Sequence, residues 1–436
     1  MGMYNLVSFC GIFIIMGLGW LFSTHRRTIN WRLLRGALIL QAVFALFIFK
    51  VPIGSRLFLG INSAVITVLE AASAGSRFVF GRLALAPGAI GEAGEPSLGF
   101  FLAFQAFPTI IFFSALMSIL YYIGVLPWLI SRCAALFTRL FAISGAESLC
   151  AASNMFVGVE SALTVKPYLR TMTRSELCTV LTCGMATVAS NVLALYVFTL
   201  QEQFPAIAGH LVSASIIAAP SALIMSKLVV PETGAPATLG RSVAPFYERE
   251  HSVFEAVING ANTGVRVVVG IVALLLAVLG LVALVDLGII ALGSWINSAA
   301  GLQVDWSLRG LAGLVFYPLT VIIGVPLEDA VLIARIIGER LIVTEVVSYQ
   351  HLAAAMADGA IANPRSTVIA TYALCGFAHL ASMAIFIGGV SALVPDKTAE
   401  LSRVGFRALL AATLACLLTA CIAGTFYTSG SILGAG

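Results

Sequence analysis

The chain has 436 residues, enough for two or three soluble domains, yet 60% are hydrophobic and only 10% charged. With a mean hydropathy of +1.03, this is the composition of a chain that faces lipid, and no stretch of soluble character is left over. The net charge of +4 comes from basic residues scattered between apolar runs, which excludes a nucleic-acid-binding surface, and a merely interfacial protein would be less apolar.

A spanning helix needs about 20 mostly apolar residues. Apolar windows of that kind, free of charge but for Arg35, cover 4–21, 33–49, 98–124, 178–200, 205–225, 267–285, 366–394 and 408–427, so an all-α protein with eight transmembrane helices is expected. No basic segment precedes the first window, which runs straight into His25-Arg26-Arg27; it reads as a retained helix rather than a cleaved signal. Four basic clusters fall on one side if the spans alternate: Arg26 to Arg35, Lys166 to Arg174, Lys227 to Arg249, and Lys397 to Arg407. By the positive-inside rule that side is cytoplasmic and both termini lie outside. Lys50, Arg56, Arg77 and Arg82 fall on the other side, in a long loop partly offset by Glu70, Glu92 and Glu95.

Two stretches do not read as simple spans. Residues 144–170 and 309–348 mix apolar residues with Gly, Pro and charge, with breakers at Gly158 and at Gly324-Val325-Pro326. Each has the length of a helix that enters the membrane, turns and leaves, and backbone of that kind is tolerated only beside protein or a watery cavity. A pair of interrupted segments at corresponding places in two halves is the sequence mark of a secondary transporter's binding site. Residues 131–142 and 251–265 read as amphipathic interfacial helices and 231–242 as a cytoplasmic linker.

Chemistry-bearing residues gather in these stretches. Glu160, in the first, is costly within a membrane and should face a cavity. Asn154 and the Val157 carbonyl could supply oxygens to a dehydrated sodium ion; the alternative is a loop that reaches the cytoplasmic surface near Lys166 and Arg170. Glu345 has only Thr344 and Ser348 as polar neighbours and needs a hydrogen-bond donor, which is a ligand or, alternatively, an ion pair with Arg340 or Arg335. The window 178–200 carries Thr187, Ser190 and Asn191, which serve a ligand or a helix-packing seam. His379, within 366–394, must bond a ligand or another helix, or shuttle protons. Eight cysteines form no CxxC pair or metal-like cluster and read as small buried thiols. No GxSxG, HExxH or paired intramembrane aspartate supports an enzyme, and a channel does not account for two dissimilar broken hairpins.

Nearly end to end, the chain resembles the concentrative nucleoside transporter family. The resemblance is carried by Phe22-Ser-Thr-His-Arg-Arg-Thr-Ile-Asn-Trp-Arg32, Phe107-Pro-Thr-Ile-Ile-Phe-Phe-Ser-Ala-Leu-Met117, Ser144-Gly-Ala-Glu-Ser-Leu149, Lys166-Pro-Tyr-Leu169 and Met172-Thr-Arg-Ser-Glu-Leu177. It continues through Cys183-Gly-Met-Ala-Thr187, Val230-Pro-Glu-Thr233, Gly324-Val-Pro-Leu-Glu-Asp-Ala330 and Ile369-Ala-Thr-Tyr-Ala-Leu-Cys-Gly-Phe-Ala378.

The resemblance implies two re-entrant helical hairpins and a homotrimer in the inner (plasma) membrane. Each protomer would have scaffold spans in 1–126 and 267–300. Its moving parts would lie in 127–229 and 301–436, with the linker and interfacial helix in 230–266. It implies sodium or proton symport of nucleosides or close relatives, the sodium held by Asn154, Val157, Thr187 and Val188. The substrate set it implies is Gly158, Val159, Glu160, Ser161, Val192, Thr344, Glu345, Phe377, His379 and Ser382. Glu345 and Ser382 match the family's ribose-binding groups directly. The family's Gly-Gln-Thr-Glu is here Gly158-Val159-Glu160-Ser161, one residue short, so Glu160 takes the place of either the Glu or the Thr, and the base-reading Gln has no counterpart. Thr344 and His379 stand where the family has Asn. A receptor that kept the fold and lost turnover is the reading from another class.

Overall fold

The computed structural model describes residues 2–428 except 87, 92, 93, 159, 160, 248, 249 and 302, with every side chain in that range but that of Asn191. In chain order the helices are α1 (Met3–Leu21), α2 (Trp31–Phe49), α3 (Pro52–Phe80), α4 (Leu102–Gln105), α5 (Phe107–Tyr122) and α6 (Val125–Phe141). Next come α7 (Gly145–Asn154), α8 (Ser161–Thr164), α9 (Arg174–Ala186), α10 (Ser190–Leu200), α11 (Ile207–Val229) and α12 (Val253–Ala300). The last are α13 (Leu308–Ile322), α14 (Leu327–Ile342), α15 (Glu345–Ala357), α16 (Pro364–Leu374), α17 (Leu380–Leu393) and α18 (Thr398–Phe426).

Local chemistry sets several of these boundaries. Capping boxes start α7 (Ser144 with Glu147) and α9 (Thr173 with Glu176), satisfying backbone donors that a helix start leaves open. Pro52 and Pro364 sit in the first turns of α3 and α16, where a missing N–H costs nothing.

Among the described residues, seven helical runs can cross a membrane by length and composition, and six of them coincide with expected windows. The seventh contains α3, in a segment expected as a long loop; Arg56, Glu70 and Arg77 interrupt its apolar residues, yet it forms a continuous helix. Two expected spans are instead broken: 178–200 divides into α9 and α10 around 187–189, and 366–394 into α16 and α17 around 375–379. The interfacial segment 251–265 and the window 267–285 form one continuous helix, α12, of 48 residues, about 72 Å long.

The apolar windows of α11 and α18 are 89% buried and form the centre, whereas that of α12 is uncovered, with Leu276, Leu287 and Trp295 facing outward. α12 lies along α5, where Gly260 and Gly264 let it approach the Ser114 and Ile111 backbone. All eight cysteines are free; seven are buried or half-buried, and Cys10 faces outward from α1.

Two polar layers mark the ends of the bundle. At one, Arg365 donates to the carbonyls of Tyr4 (2.9 Å), Gly324 (2.9 Å) and Gly424 (2.9 Å), and Asn5 donates to that of Tyr427 (2.7 Å). At the other, Lys227 is ion-paired with Glu147 and Glu232, and Ser175 donates to the Val230 carbonyl (2.7 Å). α7 starts at the second end and α8 leads the chain back to it at Thr173. α14 starts at the first, and α15 leads back to it, where Asp329 accepts from the backbone of Ala362 (2.9 Å) and Asn363 (3.1 Å). The two hairpins therefore enter from opposite ends and their tips reach the middle of the bundle.

The second hairpin differs in detail from the sequence reading. The breaker at Gly324 is the turn between antiparallel α13 and α14 at the bundle end. Glu345 lies past a separate turn, Val343-Thr344, which contains neither Gly nor Pro.

Candidate functional site

Where the hairpin tips meet the two broken helices there is a cavity of about 430 Å³. It is lined by Gly158 of the first hairpin, Val192 of α10, Thr344 and Glu345 of the second hairpin, and Phe377, His379 and Ser382 of the α16–α17 break. Most of the expected substrate residues thus converge from segments far apart in sequence. Ser161 is the exception among the described ones: it lies beside the Cys150 thiol and does not face this cavity. Val159 and Glu160 lie outside the described residues, as does the side chain of Asn191. The remaining wall is mostly apolar, with Ile271, Leu274 and Leu275 from α12 and Phe386 from α17, and it carries Thr263 and Arg266 of α12 as its polar groups.

Glu345 opens α15, where the helix N-terminus favours negative charge. Its Oε1 accepts from the Tyr196 hydroxyl at 2.7 Å. Oε2 lies 3.0 Å from His379 Nε2 but has no well-aligned donor among the described residues, and Thr344 Oγ1 has no partner among them. A buried acceptor left in this way is costly unless a ligand or water satisfies it. Neither basic residue considered as a partner for Glu345 takes that role. Arg335 pairs with Asp305 at 3.7 Å, and Arg340 donates to the Ala373 carbonyl at 2.6 Å.

His379 caps α17: its Nδ1 accepts from the Ser382 backbone N–H at 3.1 Å. That bond requires an unprotonated Nδ1, so Nε2 carries the proton, and it faces both Ser382 Oγ (2.6 Å) and Glu345 Oε2. An Asn would cap with its Oδ1 and donate with its Nδ2, and the imidazole offers both of these functions.

The expected cation residues lie at two neighbouring helix C-termini, the ends of α7 and α9, where unpaired carbonyls concentrate negative potential. Asn154 Nδ2 donates back to the Cys150 carbonyl (2.9 Å), which leaves its buried Oδ1 without a partner. Thr187 Oγ1 donates to the Cys183 carbonyl (2.9 Å) and keeps its lone pairs, and Val188 is buried beside it. Ser190 Oγ bonds the Phe156 carbonyl, fastening the first hairpin to α10. Among the described residues no three His, Cys, Asp or Glu side chains cluster as metal ligands. The oxygens on offer are neutral amide, hydroxyl and carbonyl groups, a set suited to a hard cation.

A second cavity, of about 300 Å³, shares Gly158 and Thr263 with the first and extends past Val157 and Ser190 to Tyr247 and Glu250 of the linker. Tyr196 is the site residue that the sequence reading missed. Its spacing from Val192 was the available signal, because residues four apart share a helix face. Arg266 and Phe386, which also line the main cavity, carried no such signal.

Comparison with known proteins agrees with this geometry. Family profiles described as the Na+ dependent nucleoside transporter N-terminus and C-terminus match residues 10–83 and 210–424, and one described as nucleoside recognition matches 103–203. The chain is 35% identical to solute carrier family 28 member 3 of Mus musculus, covering 97% of this chain and 59% of that protein. It is 34% identical to nucleoside permease NupC of Helicobacter pylori, covering 97% and 98%. The chain thus spans well under two thirds of the mammalian relative and nearly all of the bacterial one. Among solved structures, CNTnw in an inward-facing substrate-bound state superposes with a TM-score of 0.86 at 34% identity, covering 97% of this chain and 98% of that one. A substituted CNTnw in an outward-facing state gives 0.86 at 33%, covering 98% of both. Its sequence motifs, its opposed hairpins and these relatives agree: the chain is a multi-pass membrane protein that belongs to the Na+ dependent nucleoside transporter family.

Proposed function

We propose that this protein is a secondary active symporter that imports nucleosides or nucleoside-like solutes across the inner (plasma) membrane, driven by sodium. The observation that carries the reading is the Glu345 carboxylate with Tyr196 on one oxygen and an unsatisfied second oxygen turned to a mid-bundle cavity beside His379 and Ser382. An acceptor and donors so placed suit the vicinal hydroxyls of a ribose. The apolar wall from α12 and α17 suits the flat face of a base, with no counterpart here of the family's base-reading Gln. Apart from Thr263 and Arg266, this wall offers the base no polar partner, so discrimination among bases is expected to be broad.

Sodium would be held by Asn154 Oδ1, Thr187 Oγ1 and the carbonyls of Val157 and Val188. Both sites share the first hairpin, with Asn154 and Gly158 four residues apart, so a bound ion would order the hairpin that the solute touches. Crossing about 100 mV gives one charge about 2.3 kcal/mol, and a tenfold gradient adds about 1.4 kcal/mol. One ion could then hold a neutral solute several hundredfold concentrated. Proton coupling has weaker support, because the Nδ1 of His379 is committed to capping α17.

The solute would exchange sides as the hairpins and broken helices (127–229 and 301–436) move against the scaffold (1–126 and 267–300). The close α5–α12 seam supports that scaffold, and the second cavity supports a path from the site to the linker side. In a homotrimer, the uncovered apolar length of α12 would meet lipid and neighbouring copies. The test is uptake of labelled uridine into proteoliposomes under an imposed sodium gradient. Uptake that needs inward sodium is expected, and counterflow without a gradient separates a transporter from a receptor that only binds. Equal uptake in sodium and choline would refute sodium coupling.

A further inference from the structure

Arg340 is buried completely on α14, deep in a bundle that sits in lipid. Its Nη1 donates to the Ala373 carbonyl at 2.6 Å, while Nε and Nη2 have no hydrogen-bond partner among the described residues. The acids near it in sequence are engaged elsewhere. Glu339 holds Arg309 (2.9 Å) and His351 (2.7 Å), and Glu345 accepts from Tyr196 (2.7 Å) with its other oxygen turned to the cavity beside His379. Among the described residues no carboxylate pairs with it, and a buried cation in that position is costly unless something else neutralises it.

What surrounds it is the crossing of two broken helices. Ala373 is in the last turn of α16, and the Thr371 carbonyl of the same turn accepts from the Tyr349 hydroxyl (3.2 Å). Cys416, next to the guanidinium, donates to the Cys375 carbonyl (3.1 Å) and lies 3.8 Å from the Ala186 carbonyl that ends α9. Gly376, at φ +140°, presses against that same carbonyl: a side chain there would come within 2.8 Å of it. Each helix C-terminus carries roughly −0.5 of an elementary charge, so two of them offset about one cation.

We propose that Arg340 is a built-in cation that neutralises the C-termini of α9 and α16. It holds the segments bearing Thr187 and His379 in register with Glu345, and it fills a position where unwound transporter helices otherwise take a coupling ion. The sodium requirement is then a single ion at the Asn154 and Thr187 site. Arg340 acts as a positioning residue and does not touch the solute.

The test compares full-length Arg340→Lys and Arg340→Gln with the parent protein in nanodiscs. Thermal unfolding is titrated with sodium chloride against choline chloride, and labelled uridine binding is titrated with sodium. The parent and the Lys variant are expected to respond to sodium with a Hill coefficient near one and to bind uridine within about threefold of each other. The Gln variant should bind at least tenfold more weakly at low sodium and show a Hill coefficient rising toward two, as a second ion takes the vacated place. If Gln alone cannot be recovered folded, the requirement for charge is supported, because Lys and Gln are of similar length. Identical sodium responses of Lys and Gln would overturn the proposal, as would equal failure of both. The thermal titration needs no solute, so it remains readable even if the nucleoside reading is wrong.

Discussion

Replacing Glu345 by Gln isolates the charge at the centre of the site. The amide has the same volume. Its oxygen can still accept from Tyr196, so the side-chain hydrogen bond that Glu345 makes within the protein survives. What disappears is a second acceptor oxygen and the charge that strengthens bonds from a solute. Hydrogen bonds to a charged group contribute about 1.5–3 kcal/mol and neutral ones about 0.5–1.5. Two solute hydroxyls on Glu345 would therefore lose about 2–3 kcal/mol together, a rise in Kd of about 30- to 150-fold at 1.4 kcal/mol per decade. Scintillation proximity binding of labelled uridine at saturating sodium measures this directly, with the unfolding temperature as the check on folding. A folded Glu345→Gln protein that binds within threefold of the parent would refute the placement of the solute on this carboxylate.

Asn154→Ala removes the unpartnered Oδ1 and should abolish sodium-dependent uptake; uptake that still follows the sodium gradient would move the ion site elsewhere. Lys227→Met strands the buried Glu147 carboxylate at the linker end and should cost about 3–5 kcal/mol, seen as a much lower unfolding temperature or loss of folded protein. An unchanged temperature would mean that Glu147 finds another partner. Gly376→Ala places a side chain against the Ala186 carbonyl at a backbone angle that other residues rarely adopt, and should destabilise by about 1–3 kcal/mol. A parent-like melting curve would show that the helix crossing can relax.

The sequence alone determined that this chain lives in lipid, because a run of apolar residues without charge has no other stable place. It also singled out the first hairpin segment and several of the residues that meet at the cavity, because groups such as Glu345 and His379 are too costly in a membrane to be incidental. Composition could not show that two apparent spans are broken: unwinding at 187–189 and 375–379 leaves the run of apolar residues intact. It could not identify α3, whose charges are spaced along an amphipathic helix. Nor could it separate the Gly324 turn from the turn before Glu345, since the second is held by packing and carries no Gly or Pro. Only the tertiary structure decided which groups meet. Tyr196 and Glu345 are 149 residues apart and share one hydrogen bond. Arg340, five residues before Glu345, turns instead to the end of another helix. Hydrophobicity along a chain decides which segments leave water, but the partner of a buried polar group is set by what the folded neighbours leave unsatisfied.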